Sequence, residues 1–141
     1  MDLNDINEGS IVFLRFMRFP DNNQIDCRLN GRPYLLYKIV DDKAYLFALT
    51  SNTAGDSKFY YEIERKGLNG NKRKSYVNLR NLFIIDLDEL LLKINELHNE
   101  DKFKRINRHE NVTINDMEKI TEKLATLIFI NSYKNRWRNL V

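Results

Sequence analysis

An α+β domain is the fold class the sequence predicts: a small antiparallel β-barrel followed by two helices. Three observations predict it. Up to Ile85 the chain breaks into short β-branched and aromatic runs separated by tight turn signals. From Leu87 onward, leucine and isoleucine recur at three- and four-residue spacing, the period of a helix face. The length of 141 residues suits one domain with a real core, so residues 1–141 read as a single unit. Its strand-rich part covers about residues 9–85, and its helices cover about 87–98 and 114–135.

The elements follow in order. Ile11 to Met17 is β-branched and aromatic, with Arg15 facing away from Leu14 and Phe16. Pro20-Asp21-Asn22-Asn23 marks a loop. Tyr34 to Val40 and Ala44 to Thr50 are apolar runs split by Asp41-Asp42-Lys43, the pattern of an antiparallel hairpin. Lys58 to Glu64 sets Phe59, Tyr61 and Ile63 against Tyr60, Glu62 and Glu64, as in a half-buried strand. Leu68-Asn69-Gly70-Asn71 is a turn, Ser75 to Leu79 a further strand, and Phe83 to Ile85 an extension of the sheet.

Leu87, Leu90, Leu91, Ile94 and Leu97 share one helix face, with Asp86 and Glu89 placed as a capping box. Residues 99–111 are polar and read as a loop. Thr113 then opens a second helix with the face Met117, Ile120, Leu124, Leu127 and Ile128. Tyr133 to Val141 continues it or docks separately through Trp137 and Leu140.

Composition excludes several classes. A hydrophobic content of 43% and a charged content of 30% are globular values, not those of a disordered chain. One cysteine, Cys27, permits neither an intramolecular disulfide nor a cysteine-built zinc site, and suits a reducing cytoplasm. The opening Met1-Asp2-Leu3-Asn4-Asp5 is the reverse of a secretory leader. No apolar run approaches the roughly 20 residues of a membrane helix. Phosphate-loop, dinucleotide, nucleophile-elbow and zinc-protease motifs are absent, and no metal or cofactor is expected. His98 and His109 read as surface histidines.

The net charge of +3 is unevenly spread. Residues 1–64 hold 7 basic and 10 acidic side chains, and residues 86–141 hold 10 of each. Residues 65–85 hold six basic side chains and no acidic one: Arg65, Lys66, Lys72, Arg73, Lys74 and Arg80. Such a patch, with Tyr76 inside it, is either a solvated loop or a handle for a polyanion.

Two further features carry chemistry. Pro33 fixes the backbone beside Arg32 at the entrance of one hairpin strand, and Thr50-Ser51 lies at the exit of the next. Pairing around Asp41–Lys43 sets Tyr34 near Thr50 and brings Arg32 within reach of both hydroxyls. A guanidinium forks onto phosphate oxygens and stabilises the added charge of a pentacovalent phosphorane. RNA brings its own nucleophile, the 2′-hydroxyl, so positioning and charge neutralisation suffice to cleave it.

Gly9-Ser10-Ile11-Val12-Phe13, Gly31-Arg32-Pro33-Tyr34-Leu35-Leu36 and Ala48-Leu49-Thr50-Ser51, in that order, resemble the MazF/PemK toxin family. Tyr76 to Asp86, followed by a leucine-rich helix and a second helix, is similar to the ToxN/AbiQ/CptN branch. The resemblance implies an SH3-like barrel of the MazF/CcdB-like plasmid-maintenance-toxin fold. It implies the toxin of a type III toxin–antitoxin system with a role in phage defence. The expected activity is a metal-independent, sequence-specific endoribonuclease that cleaves single-stranded cellular mRNA to a 2′,3′-cyclic phosphate. The expected partner is a repeat, pseudoknot-like antitoxin RNA that forms a hetero-oligomer with the toxin and inhibits it.

By the same resemblance Arg32 acts at the transition state or leaving group, and Thr50 with Ser51 orients the phosphate. That branch often carries a lysine at the position of Arg32 and another just behind its Thr-Ser. Lys58 is the first lysine after Ser51 and is the further catalytic candidate. Arg65, Lys66, Lys72, Arg73, Lys74, Tyr76 and Arg80 are the candidate RNA groove, with Tyr34 a candidate for base stacking. The alternatives are a MazF-type RNase held by a protein antitoxin, a CcdB-like gyrase poison acting through the region of Trp137, and a plain RNA-binding module.

Overall fold

The computed structural model describes residues 6–19, 24–26, 31–53, 57–66, 72–98 and 110–131. Cys27, the 20–23 loop, the 67–71 turn, His109 and the segment from Ser132 to Val141 with Trp137 lie outside the described residues.

Five antiparallel strands form one sheet: β1 (Ile11–Leu14), β2 (Arg32–Val40), β3 (Lys43–Thr50), β4 (Tyr60–Lys66) and β5 (Lys72–Asp86). Their spatial order is β1-β2-β3-β5-β4. A short 3₁₀ turn, Ser57–Phe59, precedes β4, so the strand expected from Lys58 begins two residues later. The two strands expected at 75–79 and 83–85 are one continuous strand, β5. Helices α1 (Leu87–His98) and α2 (Ile114–Asn131) follow. No helix among the described residues is long and apolar enough to cross a membrane.

Strands β2 and β3 are buried on both faces, which is why they read as continuous apolar runs rather than alternating ones. Val12, Leu14, Tyr34, Leu36, Leu46 and Ala48 pack with Leu90 and Ile94 of α1. Their sequence neighbours Ile11, Leu35, Phe47 and Leu49 pack on the other side with Ile120, Leu124, Leu127 and Ile128 of α2. The helix faces read from periodicity are therefore the buried ones, each covering one side of the sheet.

Thr113 caps α2, its hydroxyl accepting the Asp116 N–H at 3.1 Å. Asp86 takes a different role from the expected cap of α1. It closes the last strand and pairs with Lys43, because the β3–β5 register sets those two residues opposite each other.

The hairpin register also differs from expectation. Asp41 and Asp42 have φ of 50° and 61°, a two-residue turn of the primed type, and Lys43 already belongs to β3. A bulge at Tyr37, between Leu36 and Lys38, then shifts the ladder by one residue. Tyr34 consequently faces Ala48 rather than Thr50. Continuing that register toward the strand ends sets Arg32 level with Thr50.

The ladder does not close into a barrel, and β1 and β4 are its edges. Residues 110–112 cover the gap between them. Ile11 donates its N–H to the Glu110 carbonyl and Val112 donates to Gly9, each at 2.8 Å. The Glu110 side chain reaches across to Arg65 of β4.

Candidate functional site

Arg32 begins at Gly31. That glycine has φ of 75°, and a Cβ there would lie 3.1 Å from the Leu14 carbonyl oxygen. The close approach seats Arg32 opposite Leu14 at the start of β2. The connection between β1 and β2 folds back under it. Phe19 donates its N–H to the Gln24 carbonyl at 2.7 Å, and Asp26 donates to Met17 at 2.9 Å. This brings the buried Asp26 carboxylate to 3.4 Å from Arg32 Nε, an ion pair with both side chains mostly shielded from water. The guanidinium also lies 5.9 Å from the centre of the Phe19 ring.

Arg32 opens onto a cleft of about 310 Å³ that also takes in Thr50, Ser51, Arg65, Arg73 and Ser75. Four strands supply it, because the starts of β2 and β5 and the ends of β3 and β4 meet at one corner of the sheet. Thr50 is the last residue of β3. Its hydroxyl donates to the Asn52 carbonyl at 3.0 Å, a local turn that holds the 50–52 corner. Ser51 is exposed on the rim, and Ser75 is buried in the wall.

The three guanidiniums of the cleft are not equivalent. Arg65 is 5% exposed and donates from Nε and Nη2 to the two oxygens of Glu110, each at 2.9 Å. Arg65, a candidate for the RNA groove on sequence, is here held as a strut by a carboxylate that arrives from far along the chain. Arg32 is balanced by Asp26. Arg73 is exposed and has no carboxylate partner among the described residues.

The basic segment does not form one groove. Alternation along β5 sends Arg73 and Ser75 into the cleft, while Lys72, Lys74, Tyr76 and Arg80 are not among its walls. Lys74 lies 3.7 Å from Glu62, and Lys66 stands opposite Lys72 in the β4–β5 register. Lys58 and Arg80 both lie over the Phe59 ring, at 5.1 Å and 4.9 Å from its centre, so Lys58 is also outside the cleft. Tyr34 is fully buried, its ring edge-on to Phe83 at 5.2 Å, and cannot offer a face to a base.

Sequence reading missed Asp26, Phe19, Ser75 and Glu110 as parts of this corner. An acidic residue shortly before a fixed arginine was the only local signal, and it pointed to Asp26 alone.

Among the described residues, the walls of the cleft include no carboxylate and no imidazole. Its chemistry is that of anion binding by guanidinium and hydroxyl groups. The chain matches no protein-family model, and no curated protein matches it in sequence.

Proposed function

We propose that the protein is an endoribonuclease toxin that cleaves single-stranded RNA at this cleft. The observation that carries the proposal is the meeting of Arg32 and Arg73 with Thr50, Ser51 and Ser75 in one hollow of about 310 Å³. The substrate's 2′-oxygen attacks the adjacent phosphorus and gives up its proton to solvent. The bond to the 5′-oxygen breaks, that oxygen takes a proton, and the products are a 2′,3′-cyclic phosphate and a 5′-hydroxyl. Arg32 and Arg73 neutralise the charge that builds on the equatorial oxygens, and the hydroxyls orient them. Asp26 aims Arg32 without touching substrate.

The motif order at Gly9–Phe13, Gly31–Leu36 and Ala48–Ser51 extends the proposal to a toxin of MazF/PemK type. The five-stranded sheet, with its edges linked by residues 110–112, is then a variant of the SH3-like barrel of that fold. The two helices favour the branch whose partner is a repeat antitoxin RNA. Tandem short repeats upstream of the gene would support an RNA antitoxin, and a small open reading frame there would support a protein one.

The test is incubation of purified protein with cellular RNA in EDTA, followed by mapping of the new 5′ ends. Discrete cuts that are lost with Arg32→Ala are expected. No cleavage by the wild type, or full cleavage by Arg32→Ala, overturns the proposal. Binding without scission would leave an RNA-binding module, and toxicity that survives Arg32→Ala would point to a gyrase poison.

A further inference from the structure

A larger cleft, of about 530 Å³, lies between residues 16–19, strand β5 and helix α1. Phe16, Phe19, Ile25 and Ile84 line it, with the cations Arg18 and Lys93 outnumbering one carboxylate, Glu89. Three of its apolar side chains are far from buried: Phe16 is 43% exposed, Ile25 44% and Ile84 47%. Scattered exposed apolar residues need no explanation, but three around one hollow mark a binding surface.

Phe16 is held there by its backbone. Its φ of 61° is the left-handed region, which costs a bulky residue free energy. The Arg15 guanidinium lies 5.3 Å from the centre of its ring, and Lys93 Nζ donates to the Arg15 carbonyl at 3.5 Å, tying the turn to α1. Across the cleft, Phe19 is fixed by Phe83, with ring centres 5.9 Å apart. Phe19 is also the ring against which the Arg32 guanidinium rests. The two clefts therefore meet at the Phe19–Arg32 contact.

We infer that this second cleft receives an unstacked base of single-stranded RNA next to the phosphate held at Arg32. The placement of that phosphate rests on the RNA-cleavage proposal. Two arguments select this occupant. The hollow borders the arginine-lined cleft across the Phe19–Arg32 contact, and its described lining carries two cations against one carboxylate. An aromatic wall beside cations suits a nucleotide, whose base stacks while its phosphates take the positive charge. Stacking of this kind also tolerates any base, so the cleft would add affinity rather than set the cleavage sequence.

The experiment measures binding of a fluorescent single-stranded RNA of about ten nucleotides, 2′-fluoro throughout so that it has no 2′-oxygen to attack and cannot be cut. Phe16→Ala and Ile84→Glu are each expected to weaken binding about 5- to 100-fold. Phe16→Tyr should bind like the wild type. Leu92→Glu, at a residue that is 64% exposed and lines neither cleft, should also bind like the wild type. Cleavage of the all-ribose RNA is followed in parallel. A wild type that binds but does not cut overturns the cleavage proposal alone, provided Phe16→Ala weakens binding. Variants at Phe16 and Ile84 that bind as tightly as the wild type overturn the base site alone. A wild type that binds no RNA overturns both.

Discussion

Arg65 of β4 and Glu110, which lie 45 positions apart in sequence, form a two-bond ion pair at 2.9 Å across the open edges of the sheet. Arg65 also lies 5.9 Å from the centre of the Phe13 ring of β1, so both edge strands converge on one guanidinium. The pair joins the helical half of the chain to the wall of the cleft at Arg32 and Thr50.

Removal of Glu110 should leave a buried, unpaired arginine. Glu110→Ala is expected to lower stability by about 3 kcal/mol, the low end for a broken buried pair because Glu110 is itself 27% exposed. Urea unfolding should show a lower midpoint with an unchanged slope. Replacing both partners with Arg65→Met and Glu110→Leu should recover much of the loss. An unaltered midpoint in Glu110→Ala would show that the link between the sheet edges carries no stability.

Arg32 and Asp26 should separate by kinetic signature. If Arg32 stabilises the phosphorane, Arg32→Ala costs about 100- to 1000-fold in turnover. Asp26→Asn, which removes the charge that aims Arg32, should cost roughly tenfold in kcat with KM nearly unchanged. A rise in KM alone would make Asp26 part of substrate binding instead.

Tyr61 donates its hydroxyl to Asp116 of α2 at 2.8 Å. Burial and this bond to a carboxylate push its pKa up to about 12 from the ordinary 10.0. The folded protein thus keeps this proton where the unfolded chain releases it. The stabilising contribution is full below pH 10, falls as pH rises from 10 to 12, and is gone above that range. Ultraviolet titration should show late phenols, since burial raises Tyr37 as well, and one of them should disappear in Tyr61→Phe. That variant should also lose less stability across the same pH range, and an equal loss would refute the assignment.

The Asp41-Asp42 turn offers a stabilising change. Both residues have positive φ, where a side chain costs free energy and glycine does not. Asp42→Gly should raise stability by about 0.5 kcal/mol, or about 2 °C in Tm. The Asp42 carbonyl that accepts the Leu87 N–H is backbone and survives the change. A lower Tm by scanning calorimetry would mean that the Asp42 side chain supports the turn.

The sequence by itself determined the α+β class, both helices with their buried faces, and the hairpin that carries Arg32 and Thr50 toward each other. Each of these is written in local periodicity or in a turn a few residues long, and local pattern survives folding. Which cation faces the cleft was decided only by tertiary structure. Six basic residues in 65–85 look alike in the chain. Strand alternation and distant carboxylates then make Arg73 an exposed wall, Arg65 a buried strut and Lys74 the partner of Glu62. The bulge at Tyr37 likewise sets Arg32 level with Thr50, and a one-residue shift leaves no mark in composition. Through-space pairing depends on how the sheet curves and where its edges end, and those are properties of the packed whole.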